Sequence, residues 1–115
     1  MSILFILAPS KYSDRDIILD SIIDMLCDYE DIAEIVTNAD KGFNDIVAKL
    51  CYDSGMPFHK CELKGGDRPD KEYRQLFSHY KYMKYLLLFR EESDKKSKFE
   101  MLAEDYEIEV RKIVI

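Results

Sequence analysis

Lys11, Lys41, Lys64, Arg68, Arg90, Lys95 and Lys96 all fall in short segments that follow apolar runs of the chain. The acids Asp40, Asp67, Glu91, Glu92 and Asp94 share those segments and bring them close to charge balance. A different set, Asp28, Glu30, Asp31, Asp53, Glu107 and Glu109, falls in the segments that precede apolar runs. If the runs are parallel strands, the basic side chains gather on the rim at the strands' C-terminal ends and the second set makes the opposite rim acidic. Helix starts on the first rim present unpaired backbone N–H groups, which favour anions. An anionic ligand is therefore admitted at the C-terminal rim and repelled from the other.

Other chemistry is poorly served by this sequence. His59 and Cys61 share one face of an alternating segment, but two ligands do not make a zinc site and no second pair lies at ligand spacing. No GxSxG elbow, P-loop or HExxH helix is present, so no hydrolase or NTPase machinery is visible and the reading leans away from an enzyme. Cys27, Cys51 and Cys61 are an odd set without a CxxC pair, the usage expected of reduced, packed thiols in a cytoplasmic protein. A formal net charge of −6 opposes non-specific binding to nucleic acid, which depends on counterion release by basic side chains. No run approaches the roughly 20 apolar residues of a membrane helix, and the start lacks a secretory leader.

The elements that must position the rim residues follow from periodicity. Ile3 to Ala8 is apolar on both faces, as a central parallel strand should be, and Pro9 and Ser10 end it. A helix is expected from about Asp14, capped by Ser13 or Asp14, with Ile17, Ile18, Ser21, Ile22, Met25 and Leu26 inward and Asp16, Asp20, Asp24 and Asp28 toward solvent. Ile32 to Thr37 reads as the second strand. A second helix follows from about Phe43 to Asp53, with Ile46, Val47 and Leu50 inward and Gly55 as its C-cap. Phe58 to Leu63 has the mixed pattern of an edge strand. After the irregular Gly65-Gly66-Asp67-Arg68-Pro69, a third helix is expected from Asp70, with Tyr73, Leu76, Phe77 and Tyr80 as an aromatic core stripe. His79 sits on or near that helix's surface. Tyr85 to Phe89 is a buried strand, 96–106 a fourth helix and Ile108 to Ile115 a fifth strand. The alternation predicts one α/β domain over 1–115: a three-layer Rossmann-like sandwich with a five-stranded, mainly parallel sheet in the order 3-2-1-4-5 and four helices.

Two strand exits carry a family resemblance. Leu7-Ala8-Pro9-Ser10-Lys11-Tyr12-Ser13-Asp14, Val36-Thr37-Asn38-Ala39-Asp40-Lys41-Gly42-Phe43-Asn44 and Gly55-Met56-Pro57 together resemble the SLOG superfamily, the Rossmann-like group that contains DprA and the LOG phosphoribohydrolases. The likeness is greatest to its small YspA/YpsA-related members, and the element order matches over essentially the whole chain. The resemblance implies a nucleotide or nucleotide derivative at the C-terminal rim, held by Ser10, Lys11, Asn38, Lys41, Gly42, Asn44 and Ser97, with Arg74 as a neutralising partner. The sequence departs from the pattern at several of these positions. Asn38 and Ala39 replace paired glycines and so crowd the approach of a phosphate to the backbone. Lys41 offers a point charge where arginine offers a planar fork. Asn44 stands where a carboxylate would, and it hydrogen-bonds without serving as a general base.

A fainter similarity is to nucleoside deoxyribosyltransferases, through Phe5-Ile6-Leu7-Ala8-Pro9 and a Glu nucleophile on the helix after the fourth strand, where Glu100 lies. That resemblance implies an N-glycosidic-bond enzyme acting on nucleosides or nucleotides, with Asp14, Asp40 or Glu100 as its carboxylate. Small size and a Lys/Asp/Tyr-rich composition are in turn similar to phage-encoded accessory proteins that bind a host protein, for example an aminoacyl-tRNA synthetase. The eight tyrosines, a residue type favoured at interfaces, suit that reading. The expected partners are thus a nucleotide-derived small molecule or a protein, with a homodimer possible, and no cofactor, metal or membrane.

Overall fold

The computed structural model describes residues 2–9, 12–38, 41–60, 82–91 and 98–115, with only the backbone described for Lys41, Lys98 and Phe99. The described residues form five strands and three helices in the order β1 (Ser2–Leu7), α1 (Arg15–Asp28), β2 (Ile32–Thr37), α2 (Lys41–Ser54), β3 (Phe58–Lys60), β4 (Met83–Arg90), α3 (Lys98–Asp105) and β5 (Glu109–Val114). All neighbouring strands are parallel and the sheet order is β3-β2-β1-β4-β5. The strand order inferred from the sequence is the one observed. Three helices lie among the described residues; the helix expected from Asp70 and the strand residues beyond Lys60 lie outside them.

Burial explains the placement of the layers. In β1, Ile3 and Phe5 join Val36, Leu86, Leu88, Leu102 and Ala103 in one core, on the face covered by α3. Leu4 and Ile6 point the opposite way into a second core with Ile18, Ile22, Met25, Ile35, Phe43, Val47 and Phe89, beneath α1 and α2. Strand alternation thus feeds two apolar layers from one strand, the reason a central parallel strand reads as a continuous apolar run.

Local chemistry sets the helix ends. Asp14 caps α1, its Oδ1 accepting from the Ile17 N–H at 3.3 Å. The four acids Asp16, Asp20, Asp24 and Asp28 are exposed as expected, but Ile17 is 39% exposed, because the Ile18–Ile22–Met25 stripe leaves it about 100° round the helix. Helix α2 starts at Lys41, two residues before the expected Phe43, and its buried stripe is Phe43, Val47 and Cys51 with Asn44 beside it. Ile46 and Leu50 are only partly buried. At its other end Gly55 adopts φ 69°, the Met56 N–H donates to the Cys51 carbonyl at 2.9 Å and the Gly55 N–H to that of Tyr52 at 3.3 Å. This is a Schellman closure that needs the left-handed conformation glycine adopts without strain.

Candidate functional site at the C-terminal rim

Strand exits meet at the C-terminal rim through an aromatic cluster. After Pro9 the chain turns, with the Tyr12 N–H donating to the Pro9 carbonyl at 3.2 Å, and this lays the Tyr12 ring 5.6 Å from that of Phe89 at the end of β4. Phe43, in the first turn of α2, meets the same Phe89 ring edge-on at 5.6 Å. A Cβ placed on Gly42 would lie 3.7 Å from Ser13 Cβ, so the loop after β1 also touches the start of α2. The ends of the first, second and fourth strands therefore converge on one edge of the sheet.

Polar groups sit within this convergence. Thr37, fully buried as the last residue of β2, donates its hydroxyl to the Asn44 side-chain oxygen, and Asn44 is itself buried in the first turn of α2. Asn38 Oδ1 and the Tyr12 hydroxyl are buried with no hydrogen-bond partner in the described structure. Burial pushes the Tyr12 phenol upward, assisted by the negative charge of Asp14, so it stays neutral and available as a donor.

The sequence-inferred site residues divide accordingly. Asn38, Gly42 and Asn44 come together, though Asn44 faces inward to Thr37 instead of toward solvent. The backbone of Lys41 lies beside them in the first turn of α2. Ser10, Lys11, Arg74 and Ser97, with Asp40, lie outside the described residues. Asp14 is exposed and engaged as the α1 cap. Glu100 is only 1% exposed and closes an ionic cluster: Arg90 Nη1 stands 2.9 Å from Oε1, and Lys112 Nζ 3.1 Å from Oε2 as an ion pair without hydrogen-bond alignment. A carboxylate so buried and paired with two cations is poorly placed to attack a sugar carbon, and its position is that of a strut between β4, α3 and β5. Among the described residues no group of three or more His, Cys, Asp or Glu side chains could hold a metal.

Thr37, Tyr12 and Phe89 are the residues sequence reasoning did not assign to this site. Thr37 left one signal, a hydroxyl at the end of an otherwise apolar strand; the two aromatic rings left none beyond their apolar character.

The opposite rim is organised differently. Asp31 accepts from Ser2 Oγ at 2.5 Å and from the Tyr85 hydroxyl at 2.7 Å. Those two hydrogen bonds hold its carboxyl below the usual range, while the bond to Asp31 pushes the Tyr85 phenol up to about 12. Asp28 bonds Arg111 at 2.8 Å, and Glu109 accepts from Tyr29 at 3.1 Å. Tyr29 stacks on Tyr85 at 4.4 Å, with Arg111 over its ring. The acids that made this rim negative in sequence are thus partly consumed in a bonded network. A separate groove of about 310 Å³ runs between α1 and α2, floored by Leu19, Ile46 and Leu50 and walled by Arg15 and Lys49 against Asp45 and Asp53, away from the aromatic cluster.

The fold and rim define a parallel α/β protein with its helices on both faces of the sheet. The chain matches no family model, no curated protein and no solved structure. No helix among the described residues is long and apolar enough to cross a membrane.

Proposed function

We propose that this chain is a Rossmann-like, SLOG-type binding protein that holds a nucleotide or nucleotide derivative at the C-terminal rim of its sheet. The observation that carries the reading is the pair of buried polar atoms, Asn38 Oδ1 and the Tyr12 hydroxyl, at two adjacent strand exits, which have no hydrogen-bond partner among the described residues. A buried polar group without a partner costs about 1–3 kcal/mol, so a ligand or water that completes these bonds is favoured there. In the topology β3-β2-β1-β4-β5 the connections from β1 and β4 leave toward opposite faces, which opens a crevice between those strands' C-terminal ends. Lys11, Lys41 and Ser97 follow β1, β2 and β4 in sequence and supply phosphate-directed donors in this reading.

Thermal-shift and calorimetric titration with nucleotides, cyclic nucleotides and ADP-ribose derivatives test the proposal. A ligand present at 100 times its Kd adds about 2.7 kcal/mol of stability. Absence of any response to the whole panel at millimolar concentration overturns it.

A second reading, an accessory protein that binds a host protein such as an aminoacyl-tRNA synthetase, is supported by aromatic and sulfur side chains on the surface: Tyr52 is 88% exposed, Tyr82 56% and Met101 46%. Affinity capture separates the two. A stoichiometric protein partner supports the second, and a co-purifying nucleotide the first. Cleavage of an N-glycosidic bond is the least supported reading, given the enclosure of Glu100 and the capping role of Asp14.

A further inference from the structure

We infer, on the reading that the rim binds a nucleotide, that Asn38 recognises the nucleoside part of that ligand and not its phosphate, by accepting a hydrogen bond from a ligand N–H or O–H. Asn38 directly follows Thr37, the last residue of β2. Strand β2 is hydrogen-bonded to β1 at the roughly 5 Å spacing of paired strands, so Asn38 stands one strand from the crevice between β1 and β4. Its Oδ1 is buried and has no hydrogen-bond partner among the described residues. The other amide side chain at this strand exit is already engaged, since the Asn44 oxygen accepts from the Thr37 hydroxyl.

The polarity of the missing partner decides what fits. An amide oxygen accepts hydrogen bonds and donates none. The ionised oxygens of a phosphodiester or pyrophosphate also only accept, so phosphate against Asn38 Oδ1 sets two acceptors face to face with no proton between them. A nucleoside supplies the missing donor from either of two sources, a base N–H or a ribose hydroxyl. Tyr12 does not discriminate in this way. Its phenol, kept neutral by burial with help from the charge of Asp14, both donates and accepts and suits either part of the ligand. Phosphate falls instead to Lys11 and Lys41, whose ammonium groups only donate.

Isothermal titration of the full chain with AMP, GMP, CMP and UMP, with their nucleosides and with inorganic phosphate reads this assignment. Asn38→Ala should weaken the best-binding monophosphate and its nucleoside by the same factor, roughly tenfold for one hydrogen bond, and leave any response to inorganic phosphate unchanged. Asn38→Asp keeps the acceptor and should retain nucleoside binding. Analogues of that nucleoside with a 2′- or 3′-deoxyribose, or with the base N–H removed or methylated, identify the source. The analogue lacking the donor should bind wild type more weakly and lose nothing further on Asn38→Ala. Thermal unfolding of the ligand-free protein is the structural control, in which Asn38→Ala should melt at or above wild type because Oδ1 has no bond to lose. A fall in Tm of about 4 °C or more would show the oxygen bonded within its own chain and overturn the inference. Nucleoside affinity indifferent to Asn38→Ala would also overturn it, and would leave nucleotide binding at the rim standing without it. If none of the probes binds, the nucleotide reading and this inference fall together.

Discussion

Replacing Glu100 by Gln separates a structural strut from a catalytic nucleophile. The Glu100 side chain is 2% exposed, the Arg90 side chain that meets it at 2.9 Å is 17% exposed, and that of Lys112 is 43% exposed. The Arg90 arm is close to a buried ion pair, for which removal of one partner costs about 3–5 kcal/mol. The Lys112 arm is close to a surface pair, worth about 0–1 kcal/mol. Gln retains volume and hydrogen-bonding capacity, so the lower end applies, and a loss of about 3 kcal/mol is expected for Glu100→Gln. An unfolding entropy of about 2.1 cal/mol/K per residue gives about 0.24 kcal/mol/K for 115 residues, hence a fall in Tm of about 12 °C. Arg90→Met should approach the same loss, whereas Lys112→Met should lose no more than about 1 kcal/mol. Urea and thermal unfolding followed by circular dichroism measure all three. A Glu100→Gln protein within about 0.5 kcal/mol of wild type, the behaviour of an ordinary surface substitution, would refute the reasoning and restore Glu100 as a reactive candidate.

Three further outcomes follow from the structure. Gly42→Ala should leave stability unchanged or raise it by up to about 1 kcal/mol, since its Cβ makes only a 3.7 Å contact and glycine is a poor helix former; nucleotide-induced stabilisation should fall if the ligand approaches the bare backbone there. Stability should decline as pH falls below the ordinary Asp range toward the lowered Asp31 value, and should also decline as pH rises from about 10, where the unfolded tyrosine ionises, toward the folded Tyr85 value of about 12; Asp31→Asn should flatten both arms of a pH-resolved Tm series. Burial pushes the Cys51 thiol up to about 11, so peptide-resolved alkylation of native protein at pH 8 should modify exposed Cys27 and spare Cys51 until urea unfolds the chain.

Much of the scaffold was legible because it rests on local signals. The bounds of β2, the Asp14 cap and the Gly55 closure each follow from residues within a few positions of one another. The strand order was legible too, since short right-handed crossovers permit few arrangements of five parallel strands. What sequence could not give depends on angular phase and on distant partners. Extending α2 back to Lys41 brings Phe43 into the buried stripe and turns Asn44 inward to Thr37, a difference of a fraction of a turn that periodicity alone does not resolve. The burial of Glu100 left no signal in sequence because Arg90 and Lys112 belong to different strands, and only the folded sheet brings them to either side of it. The acidic rim misled in the same way: Ser2, Tyr29, Tyr85 and Arg111 come from separate elements and bond carboxylates that composition counts as bare charge.

Backbone-resolved NMR during a nucleotide titration tests the rim assignment most directly. Addition of a stabilising nucleotide should shift the amide resonances of Tyr12, Asn38, Gly42 and Asn44 and leave those of Asp31, Tyr85 and Arg111 in place. Shifts confined to the α1–α2 groove around Leu19 and Lys49, or no shifts at saturating ligand, would contradict a binding site at the strands' C-terminal ends.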